Sequence, residues 1–206
     1  MRRYLLTHDP RRLPSGPPVS DYYAGALIGD RMTNISAGDT VPVLHDIAGS
    51  LHLSPFRWGM MVSHRQVRSV RAQSIHRTPR LADLRCLLPA SGWYEWDVET
   101  GTVWLIQQRE TRGLLLIPGI WSYWMSPSGP VRAAAALTGR PSPAFARVTD
   151  RQPITLTEQQ GLQWLRQPSL EMLLVPERGR FEATPILDNL GDRPRQHTRS
   201  GRMEIW

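Results

Sequence analysis

The chain has 206 residues, which suits one domain and allows a sizeable core; 40% are hydrophobic and 21% charged, as in ordinary globular proteins. Its 25 basic and 18 acidic residues leave a formal charge of +7, and every basic residue is Arg, which excludes a Walker-A phosphate loop, a lysine Schiff base and a pyridoxal site. The single Cys, Cys86, excludes an intramolecular disulfide and a multi-cysteine zinc site, and it points to a reducing compartment.

Residues 1–30 carry Pro10, Pro14, Pro17 and Pro18 with few periodic apolar positions. They read as an irregular arm around a core, with an apolar patch at Tyr22–Ile28. The basic N-terminus has no apolar run fit for a secretory signal, and no stretch of about 18 apolar residues occurs, so the expectation is a cytoplasmic chain with no membrane partner. Strand patterns begin at Val41–Leu44 and Leu51–Leu53 around a turn at Asp46–Ser50. Arg85–Leu88, Trp93–Val98, Val103–Gln108 and Leu114–Ile117 follow as short apolar or aromatic runs. Turns at Glu99–Gly101 and Glu110–Gly113 separate the last three, a spacing that predicts an antiparallel meander. Val131–Thr138 and Ile154–Thr157 add strands, with a Pro-rich loop at Gly139–Pro143 between them. Thr157 with Gln160 forms a capping box for a helix carrying Leu162, Trp164 and Leu165 and ending before Pro168. Ser169 caps a second short helix, Leu170–Val175. A basic tail, 188–206, closes the chain. The fold class is α+β: a single domain, 1–206, with a strand-dominated core and few helices.

The densest chemical signal is the run Arg85-Cys86-Leu87-Leu88-Pro89-Ala90-Ser91-Gly92-Trp93-Tyr94-Glu95-Trp96. Strand alternation puts Trp93 and Glu95 on one face, and a carboxylate in a partly dry pocket gains a raised pKa suited to proton transfer. The plainer alternative is an edge-strand Glu facing water or an Arg. Arg57-Trp58-Gly59 allows close approach of another backbone or a base, or else it is a core Trp before a turn. Arg65, Arg68, Arg71, Arg77 and Arg80 form a basic run that either binds phosphate or is a solvated face. The six His residues lack metal-ligand spacing, so no metal and no cofactor is assigned. Thr149-Asp150-Arg151-Gln152-Pro153 alone reads as a turn. Arg suits phosphate and base contact better than Lys, and the net charge favours encounter with nucleic acid, whatever the origin of the missing Lys.

Taken in order, Asn34-Ile35-Ser36-Ala37, Arg57-Trp58-Gly59, Arg71-Ala72-Gln73-Ser74, Arg85–Trp96, Gly119-Ile120-Trp121 and Asp150-Arg151-Gln152-Pro153 resemble the SRAP family (SOS response-associated peptidase), which includes abasic-site processing proteins. The resemblance implies a single α+β domain with a β-barrel-like core and a basic cleft for single-stranded DNA. It implies trapping of abasic sites by a terminal cysteine, whose amine and thiol close a thiazolidine on the sugar aldehyde, assisted by an Asn, a Glu and a His. Carried over by position, the Glu is Glu95 and the Arg of the Asn-x-Arg-x-Glu block is Arg71. The other positions are substituted: Ser69 for the Asn, Gln73 for that block's Glu, Thr149 for the His, Ala37 for a Pro. The start Met1-Arg2-Arg3-Tyr4 has no Cys, and Cys86 cannot replace it, because thiazolidine closure needs amine and thiol on one residue.

The leading expectation is therefore a protein that binds single-stranded or junction DNA and is disabled for stable cross-linking. Arg3, Arg71, Arg85 and Arg151 would contact phosphate, and Trp58 would wedge or stack on a base. One alternative is an enzyme of altered chemistry, a lyase using the Met1 amine with Glu95 or a hydrolase using Glu95 and water. Another is a non-DNA interaction protein with Arg71 and Arg85 tied into buried ion pairs.

Overall fold

The computed structural model describes residues 1–13, 17–21, 32–77, 84–97, 99–109, 114–167, 169, 171, 173 and 181–186. The elements follow as β1 (Arg3–Leu6), β2 (Val19–Asp21), β3 (Met32–Ser36), β4 (Thr40–Ile47), β5 (Ser50–Trp58), β6 (Met60–Val62), β7 (Arg65–Val67), β8 (Ser69–Arg71), a 3-10 turn (Ala72–Arg77), β9 (Arg85–Ala90), β10 (Gly92–Trp96), β11 (Val103–Gln108), β12 (Leu115–Ser126), β13 (Gly129–Gly139), β14 (Gln152–Pro153), α1 (Glu158–Arg166) and β15 (Phe181–Ile186).

The expected turn at Asp46–Ser50 closes the β4–β5 hairpin. Ala48 and Gly49 both take positive φ, 52° and 85°, the geometry whose twist matches the flanking strands. Asp46 Oδ1 accepts from the Gly49 N–H at 2.7 Å and fixes that turn. β9 pairs with β4 and β12, and β12 pairs with β13 from Gly119 to Ser126. β13 then runs parallel to β5 (Ala133↔Arg57, Ala134↔Trp58), so β4, β5, β13, β12 and β9 form a closed barrel-like ring. A second sheet, in the order β15-β11-β10-β1-β3, is antiparallel throughout.

Alternation divides the ring's side chains between two apolar layers. Val41, Val43, Phe56, Trp58, Cys86, Leu88, Ala134 and Ala136 pack with Tyr4, Leu6, Ile35, Trp93, Ile106 and Phe181 of the second sheet. Leu44, Leu53, Leu87, Leu116, Ala133, Ala135 and Leu137 pack with Trp164 and Leu165 of α1 and with Ala72 and Ile75 of the 3-10 turn. Helix α1 starts as expected. The Thr157 side chain accepts from the Gln160 N–H at 3.3 Å, and Gln160 Oε1 accepts from the Thr157 N–H at 2.9 Å.

Three expectations change. Within the stretch read as an irregular arm, Arg3–Leu6 forms β1, an interior strand of the second sheet, because Tyr4, Leu5 and Leu6 are all buried. The meander breaks after β11. There β12 leaves for the ring to pair with β9, and β15 takes the vacated side of β11. Of Ile154–Thr157, only Leu156 makes a bridge, to Leu116, while the short strand forms at Gln152–Pro153. Tyr22–Ile28 and the tail 188–206 lie outside the described residues, as does most of Leu170–Val175.

Candidate functional site

The register of β1 builds the site. Arg3 lies opposite Tyr94 and Tyr4 opposite Trp93, so stepping back along β1 carries Met1 and Arg2 alongside Glu95 and Trp96. The Met1 ammonium sits 3.2 Å from Glu95 Oε1, and both side chains are essentially sealed from solvent. The contact is an ion pair; Oε1 makes no aligned hydrogen bond. Burial pushes the Glu95 carboxyl above its ordinary range, and Asp150 adds to that shift. The Met1 ammonium and Arg2 oppose it.

Further charges surround this pair. The Arg68 guanidinium is pulled below its ordinary value by burial and by Arg2, and Glu95 opposes that shift. β8 runs parallel to β13, with Ser69 opposite Ala136 and Arg71 opposite Thr138. Thr138 Oγ1 donates to the Val70 carbonyl at 3.2 Å and accepts from the Arg151 guanidinium. Thr149 Oγ1 donates to the Arg151 carbonyl at 2.9 Å and accepts its N–H at 3.3 Å, so Thr149 shapes the turn that presents Arg151. Burial, followed by repulsion from Arg71, lowers Arg151 to about 10, which leaves it cationic at neutral pH. Arg71 is exposed. The arrangement is a buried amine–carboxylate pair within electrostatic reach of Arg2 and Arg68, beside a rim carrying Arg71 and Arg151.

Other sequence candidates have different roles. Trp58 has no exposed surface. It packs edge-on to Tyr4 at 5.0 Å and donates through Nε1 to the Arg68 carbonyl at 3.0 Å. It cannot stack on a base in this conformation; it holds the backbone at Arg68, between β7 and β8. Gly59 beside it adopts φ +109° and donates to the Ala134 carbonyl at 2.8 Å, a backbone geometry that favours glycine. Arg85 donates to the Leu165 carbonyl at the end of α1, and Arg3 donates to Asn34 Oδ1. Gln73 is exposed on the 3-10 turn, and Ser69 is half-buried. Cys86 is fully buried and burial raises its thiol pKa, which makes it inert as a nucleophile. Among the described residues, no group of three His, Cys, Asp or Glu is arranged to hold a metal, and no helix is long and apolar enough to cross a membrane.

The SOS response associated peptidase model matches residues 3–192. The chain belongs to the SRAP family. Abasic site processing protein YoqW of Bacillus subtilis is 23% identical over 164 residues, covering 69% of this chain and 72% of that protein. YobE of the same organism is 23% identical over an equal span, with 69% and 74% covered. A crystal structure of a Bordetella bronchiseptica protein superposes with TM-score 0.73 at 17% identity, covering 90% of this chain and 99% of the other. One from Bacteroides thetaiotaomicron gives 0.65 at 17%, covering 75% and 77%. At those identities the structural likeness establishes the SRAP fold and nothing finer.

Sequence reasoning singled out Glu95, Arg71 and Arg151 but missed Arg2 and Asp150, and it met Arg68 only as one of a basic run. Arg2 could have been found from the apolar Tyr4-Leu5-Leu6 run, which marks a short strand and leaves the residues before it near a neighbour. Nothing in the chain's periodicity marks Asp150.

Proposed function

We propose that this SRAP protein acts on abasic-site DNA by binding single-stranded or junction DNA, and that it does not form the stable thiazolidine cross-link. Arg71 and Arg151 contact backbone phosphate, while the Met1 ammonium and Arg2 oppose the burial that raises the Glu95 carboxyl. The observation that carries this reading is the Met1 amine held 3.2 Å from Glu95 beside an arginine rim. An arginine rim of that kind receives an anionic strand, with the buried Met1 amine and Glu95 beside it. The names of the Bacillus relatives support the abasic-site part. The start Met1-Arg2-Arg3-Tyr4 holds no cysteine, so the amine beside Glu95 has no thiol on the same residue.

The same contact favours a second reading, a reversible imine. Glu95 accepts a proton from the ammonium, the freed amine attacks the aldehyde carbon, and water leaves as C=N forms. Hydride from borohydride would reduce that C=N to a secondary amine and fix the adduct.

The test incubates the protein with single-stranded DNA bearing one abasic site and runs a denaturing gel with and without borohydride. No heat-stable adduct is expected without borohydride, and finding one refutes the lost-cross-link reading. An adduct with borohydride that Glu95→Gln diminishes selects the imine. Its absence leaves a binder. Binding itself should weaken with salt at a log–log slope of about −0.7 per phosphate neutralised, about −1.4 for Arg71 and Arg151 together. Arg71→Ala should weaken binding equally across sequences, since phosphate contacts carry no base information. A binding constant indifferent to salt overturns the proposal.

A further inference from the structure

The β12–β13 hairpin extends past the ring to a turn at Pro127–Ser128 and carries an aromatic ladder separate from the Glu95 site. Its rungs are ring contacts: His45 to Phe56 at 5.2 Å, Phe56 to Trp121 at 5.3 Å, and Trp121 to Tyr123 at 5.4 Å, the last two edge-to-face. The ladder starts in the core, where Phe56 is buried, and ends in solvent. Tyr123 is 60% exposed, and Met125, two residues on and on the same side of the strand, is 71% exposed. Large side chains left this open at the end of a supported stack have no packing role at their tips.

The charges around the ladder indicate the occupant. Arg132 lies directly across from Tyr123, and its guanidinium sits over the Phe56 ring at 5.8 Å from the centroid. On the opposite side of the hairpin Arg57 lies over Trp124 at 5.4 Å. From Leu115 to Gly139 the hairpin contains no carboxylate. An exposed ring on a rigid aromatic base, beside an arginine and on a hairpin without carboxylates, is the composition that takes an unpaired base with its phosphate. A purely apolar protein partner would not call for the arginine pairing. Six residues of β13 separate Arg132 from Thr138, about 20 Å of strand, so one nucleotide cannot touch both places.

We infer that Tyr123, supported by Trp121 and flanked by Arg132, is a base-stacking platform for single-stranded DNA. The platform would be a contact additional to the arginine rim beside Glu95. The inference rests on the DNA-binding reading given above and assigns a second point of contact to it.

The experiment compares two labelled ligands by fluorescence anisotropy: a short oligothymidine, and an equal-length chain of tetrahydrofuran abasic residues with the same phosphates and no bases. Tyr123→Ala should weaken oligothymidine binding about fivefold or more and leave the all-abasic chain unchanged, whereas Tyr123→Phe should stay within about twofold of the parent on both. Arg132→Gln should weaken both ligands and lower the salt slope by about 0.7. If Tyr123→Ala binds oligothymidine like the parent while Arg71→Ala still weakens it, the platform is wrong and the DNA-binding reading stands. If the parent binds neither ligand, both are overturned.

Discussion

Replacing Trp58 separates packing from recognition. In Trp58→Phe the Arg68 carbonyl loses the indole donor at 3.0 Å but keeps the Ala136 N–H at 3.0 Å, so the loss is that of one ordinary hydrogen bond, about 0.5–1.5 kcal/mol. The missing ring atoms leave a gap against Tyr4, worth a further ~1–2 kcal/mol at about 0.8 kcal/mol per buried methylene-sized group. The sum, about 1.5–3.5 kcal/mol, is a sizeable part of the usual 5–15 kcal/mol of total stability. With a urea slope of about 2–3 kcal/mol/M the midpoint should fall by about 0.5–2 M. Equilibrium urea unfolding followed by far-ultraviolet circular dichroism measures this. Single-stranded DNA affinity is then measured well below the new midpoint, where the chain is folded, and should remain within about threefold of the parent, since a stacked base is worth ~1–3 kcal/mol and Trp58 stacks on none. An unchanged midpoint with a tenfold loss of affinity would refute the buried, structural role assigned to Trp58.

Three other substitutions test the fold around the site. Burial, with repulsion from Arg132 and His52, pushes His45 down to about 4 from an ordinary 6.5. A folded value below the unfolded one means that the unfolded chain takes up the proton first. Stability from this group is therefore complete above pH 6.5 and is lost as pH falls towards 4, by about 3 kcal/mol at 1.36 kcal/mol per unit. Urea midpoints from pH 7 to 4 should show that loss, and His45→Leu should flatten it. In Gly119→Ala the new Cβ would lie 2.5 Å from Leu88 Cδ1 and 2.8 Å from the Ala135 carbonyl oxygen. Overpacking at the β9–β12–β13 contact should cost about 1–3 kcal/mol or more in thermal unfolding, and a neutral result would contradict the ring's tight closure. Thr157→Ala removes the α1 cap and should cost about 1 kcal/mol while leaving DNA affinity unchanged.

The local elements were legible in the sequence because their signals are local. Thr157 and Gln160 sit three residues apart, so the capping box that starts α1 needs no distant partner. The Ala48-Gly49 turn and the alternating runs of β4 and β5 are likewise short-range patterns. The run from Arg85 to Trp96 marked Glu95, and the basic composition marked an anionic partner. Tertiary structure decided which strands pair. The sequence shows β9, β10, β11 and β12 as equals, yet the chain changes sheet between β9 and β10, at Ser91 and Gly92, and again between β11 and β12. At the first change the Ser91 N–H donates to the Leu5 carbonyl, and a Cβ on Gly92 would collide with the Ile106 carbonyl. Tertiary structure also decided the site, because the amine of residue 1 reaches the carboxylate of residue 95 only after β1 is inserted beside β10. It turned Trp58 inward as well: side-chain direction on β5 depends on which face meets the second sheet, a fact fixed by packing of remote segments and absent from any window of the chain.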